Sequence, residues 1–128
     1  MDVATAFLHA KLEEETYVEI PEGVAPIGGG GRVWRPRKCL YGLKQSPRMW
    51  TMTIDKVLHK MGFKRFVTEH GIYAVGEGDE RIFSALHVDY LLIVWSSKES
   101  LEVKERLKLH FKMKHMGSAH FLPGVEIR

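Results

Sequence analysis

Two carboxylates carry the chemistry that this chain of 128 residues could do. Asp89 sits in the run from Arg81 to Ser97, RIFSALHVDYLLIVWSS. There, two apolar, β-branched or aromatic segments flank the short polar break His87-Val88-Asp89-Tyr90. That pattern predicts a tight hairpin with a carboxylate at its tip. Asp2 opens a second apolar run, MDVATAFL. Acidic groups on neighbouring strand ends are what two-metal phosphoryl transfer requires: divalent ions about 3.5–4 Å apart activate the attacking oxygen and stabilise the leaving one. Magnesium suits such a site, because it takes hard oxygen ligands, often one or two carboxylates plus substrate phosphates. On this reading Asp2 and Asp89 share a metal pair, and the intervening chain positions a nucleotide or a strand of nucleic acid. Spacing alone leaves a plainer alternative, in which both aspartates are turn formers.

The elements that must position these groups can be read in order. Asp2 to Leu8 has strand-then-turn character, followed by a short helical or irregular stretch, LHAKLEEE. Thr16 to Ile20 alternates as a strand and Pro21 closes it. Residues 21–32, PEGVAPIGGGGR, form a loop by composition, and the tract Gly28 to Gly31 lacks the strand-to-helix setting of a phosphate-binding loop. Val33 to Leu40 reads as a basic strand. The clearest helix follows, with Ser46 as N-cap, Pro47 at the first helical position and Gly62 as the stop. Trp50, Ile54, Val57, Leu58 and Met61 recur at helical spacing, so its aromatic and methionine positions are assigned to the core. Gly71 to Val75, Arg81 to Val88 and Leu91 to Trp95 read as strands, and Ser97 to Met113 as a second helix capped by Ser97, with Val103, Leu107 and Phe111 on its apolar side. Phe121 to Ile127 is a last short strand. The mixed order predicts an α+β domain with a mostly antiparallel sheet covered by helices on one side.

Composition narrows the partners. Hydrophobic content of 45% with 27% charged residues argues for a folded core rather than disorder. A net charge of +3 tolerates a polyanion without demanding one. Cys39 is alone, which excludes an internal disulfide and fits a reducing, intracellular setting, cytoplasm or nucleus. The apolar run Leu91 to Trp95 is far too short to span a membrane, and Met1-Asp2 does not begin a signal peptide. His110, His115 and His120 recur every five residues, which does not place them on one helical face as metal ligands would need.

Four sequence blocks point to a family. DVATAFLHAKLEEETYVEIPEG, CLYGLKQSPRMW, HVDYLLIV and GSAHFLPGVEIR stand in that order. Together they resemble, nearly end to end, the reverse transcriptase of copia-type LTR retrotransposons. CLYGLKQSPRMW is similar to that family's most characteristic block, HVDYLLIV stands where the family has YVDDLLIV, and the last block is similar to its closing GEAxxFLGxEI.

The resemblance implies an RNA-directed DNA polymerase palm (ferredoxin-like), one domain over residues 1–128, adding deoxynucleotides to a primer end with two Mg2+ ions. Its partners would be an RNA or DNA template-primer, deoxynucleoside triphosphates and the other parts of a retrotransposon polyprotein. Asp2 matches the first metal-binding aspartate, the Val3 carbonyl a further metal ligand, and Asp89 the first aspartate of the hairpin. Phe7 matches the bulky residue that crowds the sugar 2′ position, with a place in the core as its alternative. Tyr41 and Gly42 would lie against the incoming nucleotide. Lys44 and Arg48 would lie near template or phosphate, or else are solvated charges at a helix start.

The chain departs from the family pattern in ways that bear on activity. Tyr90 stands at the position of the second hairpin aspartate, and His87 replaces the family's tyrosine. A phenol is neutral at pH 7 and a poor magnesium ligand, so the cluster loses one of three carboxylates. Losing it should cost orders of magnitude in rate, because preorganised electrostatics supply most of the catalysis. The fingers strands are incomplete, no thumb or ribonuclease H segment matches, and Pro123 replaces a leucine. These departures lead to the expectation of a palm-centred fragment whose activity is lost. The alternative is a non-catalytic nucleic-acid-binding remnant that uses Arg32, Arg35, Arg37, Lys38, Lys44 and Arg48.

Overall fold

The helix α1, Ser46–Lys60, organises the core. Its residues Trp50, Ile54 and Leu58 recur every fourth position and are wholly buried, as that spacing on one helical face requires. The helix ends in a Schellman motif. Gly62 takes φ +93°, its N–H donates to His59 O at 2.9 Å, and the Phe63 N–H donates to Leu58 O at 3.0 Å. At the other end Ser46 does not cap. It is the first helical residue, fully buried, and its Oγ donates to Leu40 O at 2.6 Å, tying the helix to the loop before it. Met52 lies exposed on the far side of α1, so not every methionine of this helix belongs to the core.

The computed structural model describes residues 1–24, 33–95, 100–119, 121–122 and 125–126. Among them the main sheet has six strands, all antiparallel: β4 (Lys64–Arg65), β5 (Ile72–Val75), β6 (Ile82–His87), β7 (Tyr90–Val94), β1 (Asp2–Val3) and β8 (Met113–Lys114), in that spatial order. Two small ladders stand apart: β2 (Val18–Glu19) with β3 (Val33–Trp34), and β9 (Phe121–Leu122) with β10 (Val125–Glu126). The second helix, α2, spans Ser100–His110 and buries Val103 and Leu107, with Phe111 just beyond its end.

Burial alternates along the sheet. Val3, Leu91, Ile93, Ile82 and Ser84 face the core, while Phe83, His87, Tyr90 and Val94 are exposed on the opposite face. The core face shares one hydrophobic cluster with Trp50, Ile54, Leu58, Val103, Leu107 and Phe111. Trp50 and Phe111 meet edge to face with ring centroids 5.2 Å apart, which joins the two helices. The α+β class, the antiparallel sheet and the helical cover on one side therefore agree with the sequence reading. Asp55 adds a polar tie between α1 and the sheet. Its carboxylate accepts the Tyr73 hydroxyl at 3.1 Å and lies 3.5 Å from the Arg65 guanidinium and 3.4 Å from the His59 ring.

Several boundaries differ from the sequence reading. The basic stretch after Val33 is a strand only over Val33–Trp34 and then bends, consistent with Pro36, which has no N–H for a ladder. Residues Phe111 to Met113 leave the helix, because Met113 and Lys114 pair with β1. Phe121 to Ile127 forms two short paired strands instead of one. The glycine tract, Arg32, Ser97, His120 and Pro123 lie outside the described residues.

Candidate active site

The β6–β7 hairpin carries the second carboxylate. His87 pairs with Tyr90, which leaves Val88 and Asp89 as a two-residue turn. Val88 has φ +54°, a left-handed conformation rare and costly for a β-branched residue. Both turn carbonyls are held. The Trp50 indole Nε1–H of α1 donates to Val88 O at 2.6 Å, and the Val3 N–H of β1 donates to Asp89 O at 2.8 Å.

Asp2 reaches the same place from β1. Met1 and Leu91 exchange both backbone bonds, Met1 N to Leu91 O at 2.7 Å and Leu91 N to Met1 O at 2.8 Å. The next pair, Asp2 opposite Tyr90, is therefore the non-hydrogen-bonded kind, in which side chains come closest, with Cα atoms about 4.5 Å apart. Asp89 is the turn residue just before Tyr90, one residue from the cross-strand partner of Asp2, and both aspartates are half-buried. Asp2 is flanked on its other side by Lys114 of β8.

Tyr41 lies in the turn that precedes α1. Its ring packs against Phe7 with centroids 4.5 Å apart, while the residue as a whole is more than half exposed. Burial pushes its phenol above the ordinary range, and the carboxylates of Asp89 and then Asp2 push it the same way. One phenol thus senses both acidic groups. Phe7 is itself buried in the core cluster, so it supports Tyr41 from beneath. Gly42 takes φ +93° with open space where a Cβ would sit.

Lys44 and Arg48 are exposed at the entry to α1, with no ion pair to either among the described residues. Of the other cations named in the sequence, Arg35 is paired with Glu15 at 3.2 Å, and Arg35 and Arg37 line a surface hollow with Glu13, Glu14 and Glu15. The basic stretch is thus partly offset by its acidic neighbour. Among the described residues, no group of three or more His, Cys, Asp or Glu side chains converges as a metal cluster would. Helical spacing assigns Trp50 to the core alone; its bond to the hairpin leaves no trace in hydrophobic spacing, which reports burial and not the polar edge of the ring.

Comparison with known proteins decides the family. The profile described as "Reverse transcriptase (RNA-dependent DNA polymerase)" matches residues 1–128. The chain belongs to the reverse transcriptase family. This reverse transcriptase chain is 37% identical to a putative transposon Ty5-1 protein of Saccharomyces cerevisiae, over 99% of its own length and 42% of the relative's. It is 37% identical to the retrovirus-related Pol polyprotein from transposon TNT 1-94 of Nicotiana tabacum, over 99% of itself and 10% of that protein. It is 30% identical to the corresponding polyprotein from transposon RE2 of Arabidopsis thaliana, over its whole length and 9% of the relative's. The chain therefore spans less than half of the first relative and about a tenth of the two polyproteins. The copia-type retrotransposon reading of the four sequence blocks agrees with these matches. No solved structure matches the chain. Among the described residues no helix is long and apolar enough to cross a membrane.

Proposed function

We propose that this chain is the palm of an RNA-directed DNA polymerase, a scaffold built for nucleotidyl transfer to a primer 3′ end, and that it no longer turns over. The observation that carries the reading is the register that sets Asp2 opposite Tyr90, one residue from Asp89. Two half-buried carboxylates on adjoining strand ends fit one hard divalent ion, which needs one or two carboxylates and fills its remaining positions with water or phosphate. They do not fit a pair of such ions, since Tyr90 offers no negative charge where the family pattern has a third carboxylate. Bound at this point, Mg2+ would supply Lewis-acid polarisation of a phosphoryl oxygen. The chain's own part is to hold Asp2 and Asp89 there, with the Val3 carbonyl behind them. The Tyr41 ring, propped on Phe7 and followed by the unhindered Gly42, offers a flat surface to an incoming deoxynucleotide. Lys44 and Arg48 lie exposed at the start of α1, where they can meet template or phosphate. The setting is intracellular, within a larger retrotransposon polyprotein.

Primer extension on an RNA or DNA template, with Mg2+ and then Mn2+, tests the loss of turnover; the expected result is no incorporation with either ion. Mn2+ binding followed by electron paramagnetic resonance tests the site. One weak site is expected, lost in Asp2→Asn and in Asp89→Asn. Binding that survives both substitutions would place the ion elsewhere and remove the reading.

A second reading, a non-catalytic nucleic-acid binder, is favoured by Lys44 and Arg48, which are exposed at one end of α1 and without an ion pair among the described residues. It predicts sequence-indifferent binding that weakens steeply with salt.

A further inference from the structure

The hairpin turn that carries Asp89 is conformationally expensive. Val88 occupies left-handed space at φ +54°, where a two-residue hairpin turn with this sign at its first position ordinarily uses glycine. Left unsupported, a β-branched residue there would relax toward extended backbone and carry the next residue with it. Trp50 opposes that relaxation. Its ring is 1% exposed, fixed against Phe111 at 5.2 Å, with His9 6.2 Å away, so the indole N–H has little freedom to leave the Val88 carbonyl, 2.6 Å away. The carbonyl on the other side of the Asp89 α-carbon is held by Val3, the residue next to Asp2. The two bonds bracket the Asp89 α-carbon and tie its backbone to α1 on one side and to β1, beside Asp2, on the other.

We infer that Trp50 is a positioning residue for the metal-binding pair, acting through the Val88 carbonyl to hold Asp89 toward Asp2. This rests on the metal-site reading given above. Outer partners of metal ligands typically contribute about 10- to 100-fold in affinity, which sets the expected size of the effect.

The test compares wild type, Trp50→Phe, Val88→Gly and the double variant by hydrogen exchange and by Mn2+ titration of the intact chain. In wild type the Trp50 indole N–H is expected to be strongly protected, unlike those of the exposed Trp34 and Trp95. In Trp50→Phe the Val3 amide should exchange faster while the Ala85 and Leu92 amides, which face each other in the β6–β7 ladder, stay protected, and Mn2+ affinity should fall about 10-fold or more. Val88→Gly removes the steric demand on the turn, so the double variant should recover most of both losses. A loss of protection spread evenly over the sheet, or unchanged Mn2+ affinity in Trp50→Phe, would overturn the inference. So would a fast-exchanging Trp50 indole in wild type, a result that needs no variant to fold. Wild type that binds no Mn2+ but shows the local Val3 effect would sink the metal-site reading and leave Trp50 as the brace of the turn.

Discussion

Asp2 stands beside Tyr90 across the β1–β7 ladder, in a pair without hydrogen bonds, and Lys114 stands on its other side across β8. A phenol, a carboxylate and an ammonium therefore line up across three strands. Only the middle one carries the charge that a cation needs.

Replacing the phenol tests this row. Tyr90→Asp puts two like charges directly opposite each other, which should destabilise the metal-free protein by about 0.2–1 kcal/mol. Mn2+ should more than recover the loss, so the variant's melting temperature rises on adding the ion by more than that of wild type. Thermal unfolding with and without Mn2+ reads the effect; equal responses in the two proteins would show that position 90 does not face the ion.

The Tyr73–Asp55 bond gives a stability profile at high pH. Burial, then the bonded and negatively charged Asp55, raise the Tyr73 phenol from 10.0 to about 12. A group whose folded value lies above its unfolded one contributes fully below the lower value and loses that contribution as pH climbs through the higher one. Stability should therefore fall between about pH 10 and pH 12. Tyr73→Phe should flatten that part of the curve in urea melts recorded across the range.

The two faces of α1 should respond very differently to truncation. Leu58→Ala opens a void in the core and is expected to cost about 2–5 kcal/mol. Met52→Ala, on the exposed side, should change stability by less than about 0.5 kcal/mol. Urea denaturation separates the two, and a large cost at Met52 would mean that face is covered.

Binding to single-stranded nucleic acid should report on Lys44 and Arg48. If each meets a phosphate, replacing both by alanine reduces the slope of log affinity against log salt by about 1.4. Fluorescence anisotropy at several salt concentrations gives the slope. An unchanged value would make both side chains ordinary solvated charges.

How much of this was legible in the sequence depended on length and on which side chain reports what. The α1 face and the β6–β7 hairpin repeat long enough for period to identify them, and Gly62 and Asp89 mark their ends by local chemistry. Strands β4 and β8 are two residues each, too short for any alternation to register. They form because neighbouring strands present free ladder groups, which is a tertiary cause. Ser46 carries the right chemistry for a cap but stands one residue too far in, as the first helical residue after Gln45, and its hydroxyl donates to the Leu40 carbonyl instead. That Asp2 and Asp89 belong to one site is implied by resemblance to a family pattern. Nothing in residue spacing says that β1 inserts between β7 and β8. The brace from Trp50 was invisible for a related reason: hydropathy counts the ring and ignores its N–H.

The central claim is that Asp2 and Asp89 act on one ion. Paramagnetic broadening of amide signals during a Mn2+ titration addresses it most directly. The expected result is that the amides of Asp2, Val3, Asp89 and Tyr90 broaden together along one saturation curve, and that Asp2→Asn abolishes the effect at all four. Broadening at only one of the two strands, or first at the acidic run Glu13 to Glu15, would contradict the account.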